Sequence, residues 1–332
     1  MKKKLLAALL AGMMALSLTA CGETPTEPAE DEAGGTAETY TVGICQLMEH
    51  AALDTATQGF QDALKEALGE ENVTFDYQNA QGESATCATI INGFVSNNVD
   101  LILANATPAL QAAVAGTSEI PILGTSVTEY GVALEIEGFE GTVGGNISGT
   151  SDLAPLEDQA KMLQEWFPDA KNVGLLYCSA EPNSKYQVDV VKAALEEMGY
   201  TCTLYAFADS NDLSAVCTTA ADASDVIYVP TDNTVANNTG IVDNICRPAK
   251  VPVIAGEEGI CSGCGVATLS ISYYDLGKTT GEMAAKILKG EADIATMPIE
   301  YTTVTKKYNA DICEALGLTA PEGYEAIEAA AE

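Results

Sequence analysis

His50 is the only histidine in the chain, so any Ser-His or Cys-His nucleophile pair has to use it. It stands in ICQLMEHAALDTATQGF (44–60), where an apolar run gives way to helical spacing. No G-x-S-x-G elbow occurs that could present a serine to it. Cys261-Ser262-Gly263-Cys264 is a C-x-x-C, but no second pair and no His-x-His partner completes a zinc set. Gly259, Gly263 and Gly265 around it indicate a loop leading into a strand, whereas a redox pair opens a helix. Two free thiols or a local disulfide are expected there, and no metal. A G-x-x-x-x-G-K-[ST] phosphate loop is absent, and no G-x-G-x-x-G follows the first strand. Acids are numerous enough for a paired-carboxylate hydrolase, yet nothing else assembles a catalyst. The chain is expected to bind rather than to convert, with no catalytic residue and no cofactor.

The remaining polar residues collect at the ends of apolar runs: Gln46, Glu49 and His50; Asn79 and Gln81; Asn105 and Thr107; Thr125, Ser126 and Thr128. Further on come Cys178, Glu181, Asn183 and Ser184; Asp209, Ser210 and Asn211; Thr231, Asp232 and Asn233; Glu257 and Glu258. The elements that must position them alternate. Strand-like YTVGICQ, VTFDYQNA, VDLILANA and IPILGTSV are separated by helical stripes at 51–68 and 84–97 and by a helix starting at TPALQAAVAG. Thr107 is expected as the N-cap of that helix and Pro108 as its first residue. A glycine-rich break at 129–152 follows, and then the alternation restarts with helices at 155–167, about 182–198, 211–223 and about 234–246. Strands NVGLLYC, YTCTLYAF, DVIYVP and VPVIAGE lie between them. Two doubly wound parallel α/β units are implied, with the glycine-rich stretch crossing between them. Ligands of such sheets bind outside the carboxyl ends of the strands, so two facing units make a cleft walled by the residues named above. Trp166 and Phe167 are expected in the core, and Tyr273 and Tyr274 either there or in the cleft.

Composition narrows what the cleft can take. The formal net charge is −33, from 48 acids against 15 bases, which argues against nucleic acid or an anionic lipid surface as a partner. With a single arginine, Arg247, a bidentate clamp on an anion is nearly excluded. Anionic groups must then be held by N–H groups, hydroxyls and helix N-termini. Residues 1–20 read as a secretory signal: three lysines, an apolar stretch too short to span a bilayer, then small residues. Residues 22–39, acidic and rich in Pro, Gly and Thr, read as a tether. Nine cysteines remain beyond Cys21, an odd number that cannot pair completely within the molecule. Those at apolar positions (Cys45, Cys87, Cys178, Cys217) are expected as free core thiols in a cell living in a reducing niche.

QLMEHAALDTATQGF, NATPALQAAV, TSVTEYGVALE, NISGTSDLAPLEDQAKML, NVGLLYCSAEPNSKYQV, VIYVPTDNTVAN and SISYYDLGKTTGEMAAKIL occur in that order. Together they resemble the solute-binding lipoproteins of ABC transporters of the tryptophan/tyrosine-binding type, a branch of the type I periplasmic-binding-protein fold. Leu18-Thr19-Ala20-Cys21 resembles a lipobox, implying cleavage before Cys21 and lipidation of its sulfur. The resemblance implies an α/β protein of two Rossmann-like lobes joined by three crossing segments, near 145–150, 268 and 300. The first lobe is then 40–146 plus 269–298 and the second 147–268 plus 299–332, after a signal peptide (1–20) and an anchor with its linker (21–39). It further implies a monomer, exported and anchored by its lipid outside the cytoplasm, delivering a small aromatic amino acid to a permease. A sugar or nucleoside receptor on the same fold, or a cell-surface hydrolase, is the alternative. The chain departs from the family pattern at Ala51, at Glu129-Tyr130 and at Ala267-Thr268-Leu269.

For an amino-acid ligand, Thr107, Thr125 and Ser126 are the expected donors to the carboxylate. Asp232 is the first choice for the ammonium, with Asp152 and Glu49 behind it. Tyr273, Tyr274 and Tyr130 are candidates for an aromatic slot. Gln46, Glu49 and His50 are expected at the rim, His50 donating to the ligand or to the facing lobe. Asn183, Ser184, Thr231 and Asn233 complete the predicted set.

Overall fold

The computed structural model describes residues 38–327. The expected signal segment, the expected lipidation site Cys21 and the expected linker as far as residue 37 lie outside that range, as do residues 328–332. The apolar runs form strands and the striped segments form helices. The first run is β1 (Tyr40–Gln46), α1 (Ala51–Leu68), β2 (Val73–Asn79), α2 (Ser84–Asn97), β3 (Leu101–Asn105), α3 (Thr107–Gly116), β4 (Ile122–Val127), the short α4 (Tyr130–Ala133) and β5 (Ile147–Ser151). The second is α5 (Leu156–Trp166), β6 (Asn172–Cys178), α6 (Pro182–Glu197), β7 (Thr201–Phe207), α7 (Ser210–Ala223), β8 (Val226–Val229), α8 (Asn233–Ala236), α9 (Thr239–Ala249), β9 (Val253–Ala255), α10 (Glu258–Cys264) and β10 (Ala267–Ile271). The chain closes with α11 (Tyr273–Leu288), β11 (Glu300–Tyr301), β12 (Val304–Tyr308), α12 (Ala310–Leu316) and β13 (Glu325–Ala326).

One sheet has the order β11-β5-β4-β3-β1-β2 and the other β13-β12-β10-β9-β8-β6-β7. All pairings between these strands are parallel except β10 with β12. In β1, Val42 and Ile44 face α1 and α11 while Cys45 faces α2 and α3, because successive side chains of a strand point to opposite faces. Both faces of the first sheet are thus covered, and β3 and β4 are buried throughout. Phe60 and Leu64 of α1 are fully buried, each worth about 1.5–3 kcal/mol of apolar burial. The strand order reverses around β1 in one sheet and around β6 in the other, and these are the points where parallel sheets open a ligand crevice.

The three crossings fall later in the chain than expected. Residues 147–151 pair with β4 in the first sheet, 267–271 with β9 in the second and Glu300–Tyr301 with β5 in the first. The crossings are therefore 152–155, around Ser272, and 302–303. The reason for the first lies at the end of the glycine-rich stretch, where residues 147–151 form a tightly seated strand rather than a free connection. A Cβ on Gly149 would lie 2.2 Å from the Gly124 carbonyl oxygen, so only glycine lets β5 approach β4 here. The C-x-x-C also differs from expectation. Cys261 and Cys264 lie in α10, both buried, because Glu257 caps that helix through the N–H groups of Gly259 and Ile260.

After the second crossing, α11 packs on α1 through missing side chains. A Cβ on Gly277 would lie 1.9 Å from the carbonyl oxygen of Ala56. This close seating anchors α11 to the first lobe and holds its first residue, Tyr273, between the lobes. Among the described residues, no helix is long and apolar enough to cross a membrane.

Candidate functional site

The ends of β1, β3 and β4 form one wall. Gln46 is fully buried beneath α1: its Nε2 donates to the Met48 carbonyl oxygen (2.8 Å) and to Asp54 Oδ1 (2.6 Å), and its Oε1 accepts from Thr57 (2.6 Å). Asn105 joins it, donating to the Leu53 carbonyl oxygen at 2.8 Å. Gln46 is therefore not at the rim; it fixes the loop that carries the rim. Glu49 on that loop is exposed. His50 sits at the N-cap position of α1 with extended backbone, and its Nε2 lies 3.2 Å from Asn233 Oδ1 in the facing lobe. Burial lowers the His50 pKa, against the pull of Asn233, Glu181 and Asp54. The neutral ring then donates its Nε2–H to Asn233.

Thr107 is the first residue of α3 rather than its N-cap. The N-cap is Ala106, held at φ 92, a conformation an L-residue keeps only when its surroundings impose it. Thr107 is buried. Thr125 turns into the lobe, where its hydroxyl meets Thr150 and Thr280, each at 3.2 Å, so it does not face the cleft. Ser126 lies within a register shift in β4, between Gly124 and Val127, and stands at φ 53. Its buried Oγ has no partner.

Asp152 begins the first crossing. Its Oδ2 accepts from the Tyr273 hydroxyl at 3.0 Å, while its buried Oδ1 has no partner. Burial pushes its pKa up to about 6, with Tyr273 and Thr128 opposing. Tyr273 is buried, whereas Tyr274 is exposed and its hydroxyl reaches Asp62 at 3.2 Å. Successive helical residues point about 100° apart, so the two tyrosines face different surroundings. Tyr130 is buried inside the first lobe, donating to the Thr150 carbonyl oxygen.

The second wall is built around α8. Asp232 accepts the Cys178 N–H on Oδ2 (2.7 Å) and the Val235 N–H on Oδ1 (2.9 Å). It caps α8 and ties it to β6. Burial, reinforced by Glu181, pushes its pKa up to about 8. Glu181 takes the N–H and Nδ2 of Asn233 on one oxygen, and the N–H and hydroxyl of Thr234 on the other. Asn183 and Ser184 point at the Thr231 carbonyl oxygen (3.2 and 3.5 Å), and Asn183 Oδ1 is buried without a partner. The Thr231 hydroxyl donates to the Gly256 carbonyl oxygen at 3.3 Å. Glu257 is buried, and burial pushes its pKa up to about 7.

His50, Asp152, Thr231, Asp232, Asn233 and Tyr273 surround a common cavity, together with Leu53, Ala236 and Glu257. The cavity is about 10 Å³, the space of about one water molecule. A wider depression of about 440 Å³ adjoins it, sharing Glu257 and Tyr273. Six of the predicted residues are thus brought together. Gln46 and Thr125 are committed elsewhere, Tyr274 lines the wider depression, and Glu49, Thr107, Ser126, Asn183 and Ser184 do not line this closed space. Leu53 and Ala236 were not anticipated; both are small pieces of amphipathic helix whose turn toward the other lobe is invisible locally. Glu181 and Glu257 carried a signal, each standing just after a strand and before a helix.

Three buried carboxyl groups, their pKa values raised by burial, face one neutral histidine in this space, with no lysine or arginine among its lining residues. Such a site is complementary to a cation or an ammonium group.

The chain matches the family model for ABC transporter substrate binding protein over residues 41–330. It is 34% identical over 323 residues to the tyrosine-binding protein of Clostridioides difficile (strain R20291), covering 95% of this chain and 93% of that one. Among solved structures it is similar to an ABC domain in complex with L-Trp from Streptococcus pneumoniae, at 31% identity and TM-score 0.82, covering 87% of this chain and 100% of that one. It is also similar to the ligand-free, open structure of a substrate-binding protein with adhesive properties from Clostridium difficile, at 37% identity and TM-score 0.67, covering 87% and 99%. The fit is better to the ligand-bound relative although the open one is closer in sequence, which agrees with lobes in contact through His50 and Asn233. Two doubly wound lobes, three crossings and a walled cleft, matched over nearly the whole described length, place this chain in the ABC transporter substrate-binding protein family.

Proposed function

We propose that the protein takes up a free aromatic amino acid, tryptophan or tyrosine, between its lobes and hands it to the permease of an ABC importer. It works outside the cytoplasm as a monomer, held to the membrane by a lipid on Cys21. The observation that carries the reading is Asp152 Oδ1, a buried carboxylate oxygen without a partner, in a cavity whose other acids are already committed to backbone N–H groups. An ammonium group satisfies that oxygen and offsets the cost of burying it. Asp232, the first choice from sequence, becomes a positioning residue because both its oxygens hold backbone. Tyr273, Leu53 and Ala236 supply the apolar wall for an aromatic ring. Thr107 at the start of α3, the partnerless Ser126 hydroxyl and Asn183 are the candidates for the ligand's carboxylate and remaining polar atoms.

A cavity of about 10 Å³ admits no amino acid, so binding requires the lobes to part and the walls to rearrange around the ligand before closing again. The relatives described as binding tyrosine and as holding L-Trp support the choice of ligand. Calorimetric titration with the twenty amino acids tests it. Tryptophan or tyrosine binding, weakened at least tenfold by Asp152→Asn, is the expected outcome; unchanged affinity in that variant removes Asp152 from the site.

A further inference from the structure

Several buried thiols of the second lobe are occupied by backbone. Cys178 donates to the Ala208 carbonyl oxygen at 3.5 Å, Cys264 to that of Ile260 at 3.3 Å and Cys313 to that of Val266 at 3.6 Å. Cys217 and Cys246 are arranged differently. Their sulfurs lie 3.7 Å from each other, Cys217 on α7 and Cys246 on α9, in the apolar layer these helices form over the second sheet. We propose that Cys217 and Cys246 are joined by a disulfide in the exported protein.

The geometry asks for little. A disulfide holds its sulfurs about 2.05 Å apart, so the pair must close by roughly 1.7 Å from its present separation. The positions are 29 residues apart, so the bond closes a loop long enough to restrict the unfolded chain. It also staples α9, whose last turn contains Pro248, to its neighbour α7.

The oxidant is a disulfide, carried by a dithiol oxidase or a small molecule. One cysteine thiolate attacks its S–S bond, releasing one oxidant thiol and leaving a mixed disulfide on the protein. The second thiolate attacks the protein sulfur of that mixed disulfide, forming the Cys217–Cys246 bond and releasing the second oxidant thiol. The protein pair loses two electrons and two protons, and one oxidant disulfide becomes two thiols. Both sulfurs are buried in the folded lobe, so the exchange takes place during folding, before α7 and α9 cover them. The expected pairing rests on export to a compartment where disulfides persist, but its test does not depend on the ligand.

The full chain is refolded in a buffer of oxidised and reduced glutathione, or in excess reductant, then denatured, alkylated and peptide-mapped. Oxidative refolding is expected to give one linked pair of peptides carrying Cys217 and Cys246, two hydrogens lighter than the separate thiols. Its Tm should exceed that of the reduced form by about 5–10 °C, and Cys246→Ser should lose that increment. Recovery of both cysteines as alkylated free thiols after oxidative refolding, or linkage of either to a different cysteine, overturns the proposal. Should Cys246→Ser fail to fold, the wild-type peptide map decides alone. Amino-acid binding by the same preparation reports on the proposed function separately.

Discussion

The Tyr273 hydroxyl donates to Asp152 Oδ2 at 3.0 Å, joining the residue that begins the first crossing to the residue that follows the second. Both are buried, and both line the space between the lobes. A ligand that contacts Asp152 therefore touches the hinge directly. Under the proposed function, lobe rotation and ligand recognition would share this one hydrogen bond.

Removing that bond should separate the two effects. Tyr273→Phe keeps the ring and deletes the donor, leaving Asp152 with less support for its charge. Its pKa should rise further above about 6, and amino-acid affinity at pH 7 should fall by about 10–150-fold, the worth of a hydrogen bond to a charged group. Titration calorimetry of the variant at pH 7 and pH 8 checks this; the deficit should shrink at the higher pH.

The ligand-free protein should lose stability as pH rises. Asp152, Glu257 and Asp232 have pKa values raised to about 6, 7 and 8, so the folded state binds more protons than the unfolded chain across pH 4–8. Stability linked to them is fully present below the unfolded values near 4 and is lost as pH climbs through the folded ones. Denaturant unfolding at pH 5 and pH 8 should show the decline, and Asp152→Asn should flatten its lower part. Ligand binding should show the opposite slope between pH 5 and 7, because Asp152 must ionise to hold an ammonium.

Asp232→Ala should act mainly on folding. Two backbone N–H groups, of Cys178 and Val235, lose their acceptor, and buried donors left unpaired cost about 1–3 kcal/mol each. A destabilisation of about 2–4 kcal/mol in urea unfolding is expected. Lost affinity at unchanged stability would instead place Asp232 on the ligand.

His50→Ala should loosen closure without harming the fold. The bond from His50 to Asn233 crosses the cleft and contributes only when the lobes are shut. Affinity should drop about 2–10-fold while the melting temperature stays within about 2 °C, and small-angle scattering of the ligand-free variant should show a larger radius of gyration.

Gly277→Ala tests the α1–α11 contact. The added methyl would sit 1.9 Å from the Ala56 carbonyl oxygen, so the helices must separate. Overpacking of this kind costs about 1–3 kcal/mol, readable as a lowered thermal midpoint.

Strands and helices were legible because burial on both faces of a parallel sheet leaves long apolar runs, as in β3 and β4. The region of the cleft was legible for the same reason: polar residues at strand ends have nowhere else to be useful. Its individual members were not. Tyr273 and Tyr274 are equivalent in composition, and the phase of α11 against α1 decides which one faces inward. Asp232 looked free in PTDN, yet the end of β6 supplies it with an N–H from 54 residues away. The glycine-rich stretch signalled a crossing between lobes, whereas its last glycine, Gly149, lets β5 approach β4 within the first sheet.

The amino-acid sequence by itself determined two α/β lobes, a cleft of hydroxyls, amides and acids, and the exclusion of catalysts that need a second histidine or a phosphate loop. These follow from periodicity and composition, which are local. Only the tertiary structure decided which acid keeps a free oxygen, where the chain crosses between lobes and which thiols meet. Each of those depends on a partner distant in the chain: the Tyr273 hydroxyl for Asp152, Gly124 for Gly149 and Cys246 for Cys217. Their spacing is set by helix and sheet packing, and no short stretch of residues encodes it.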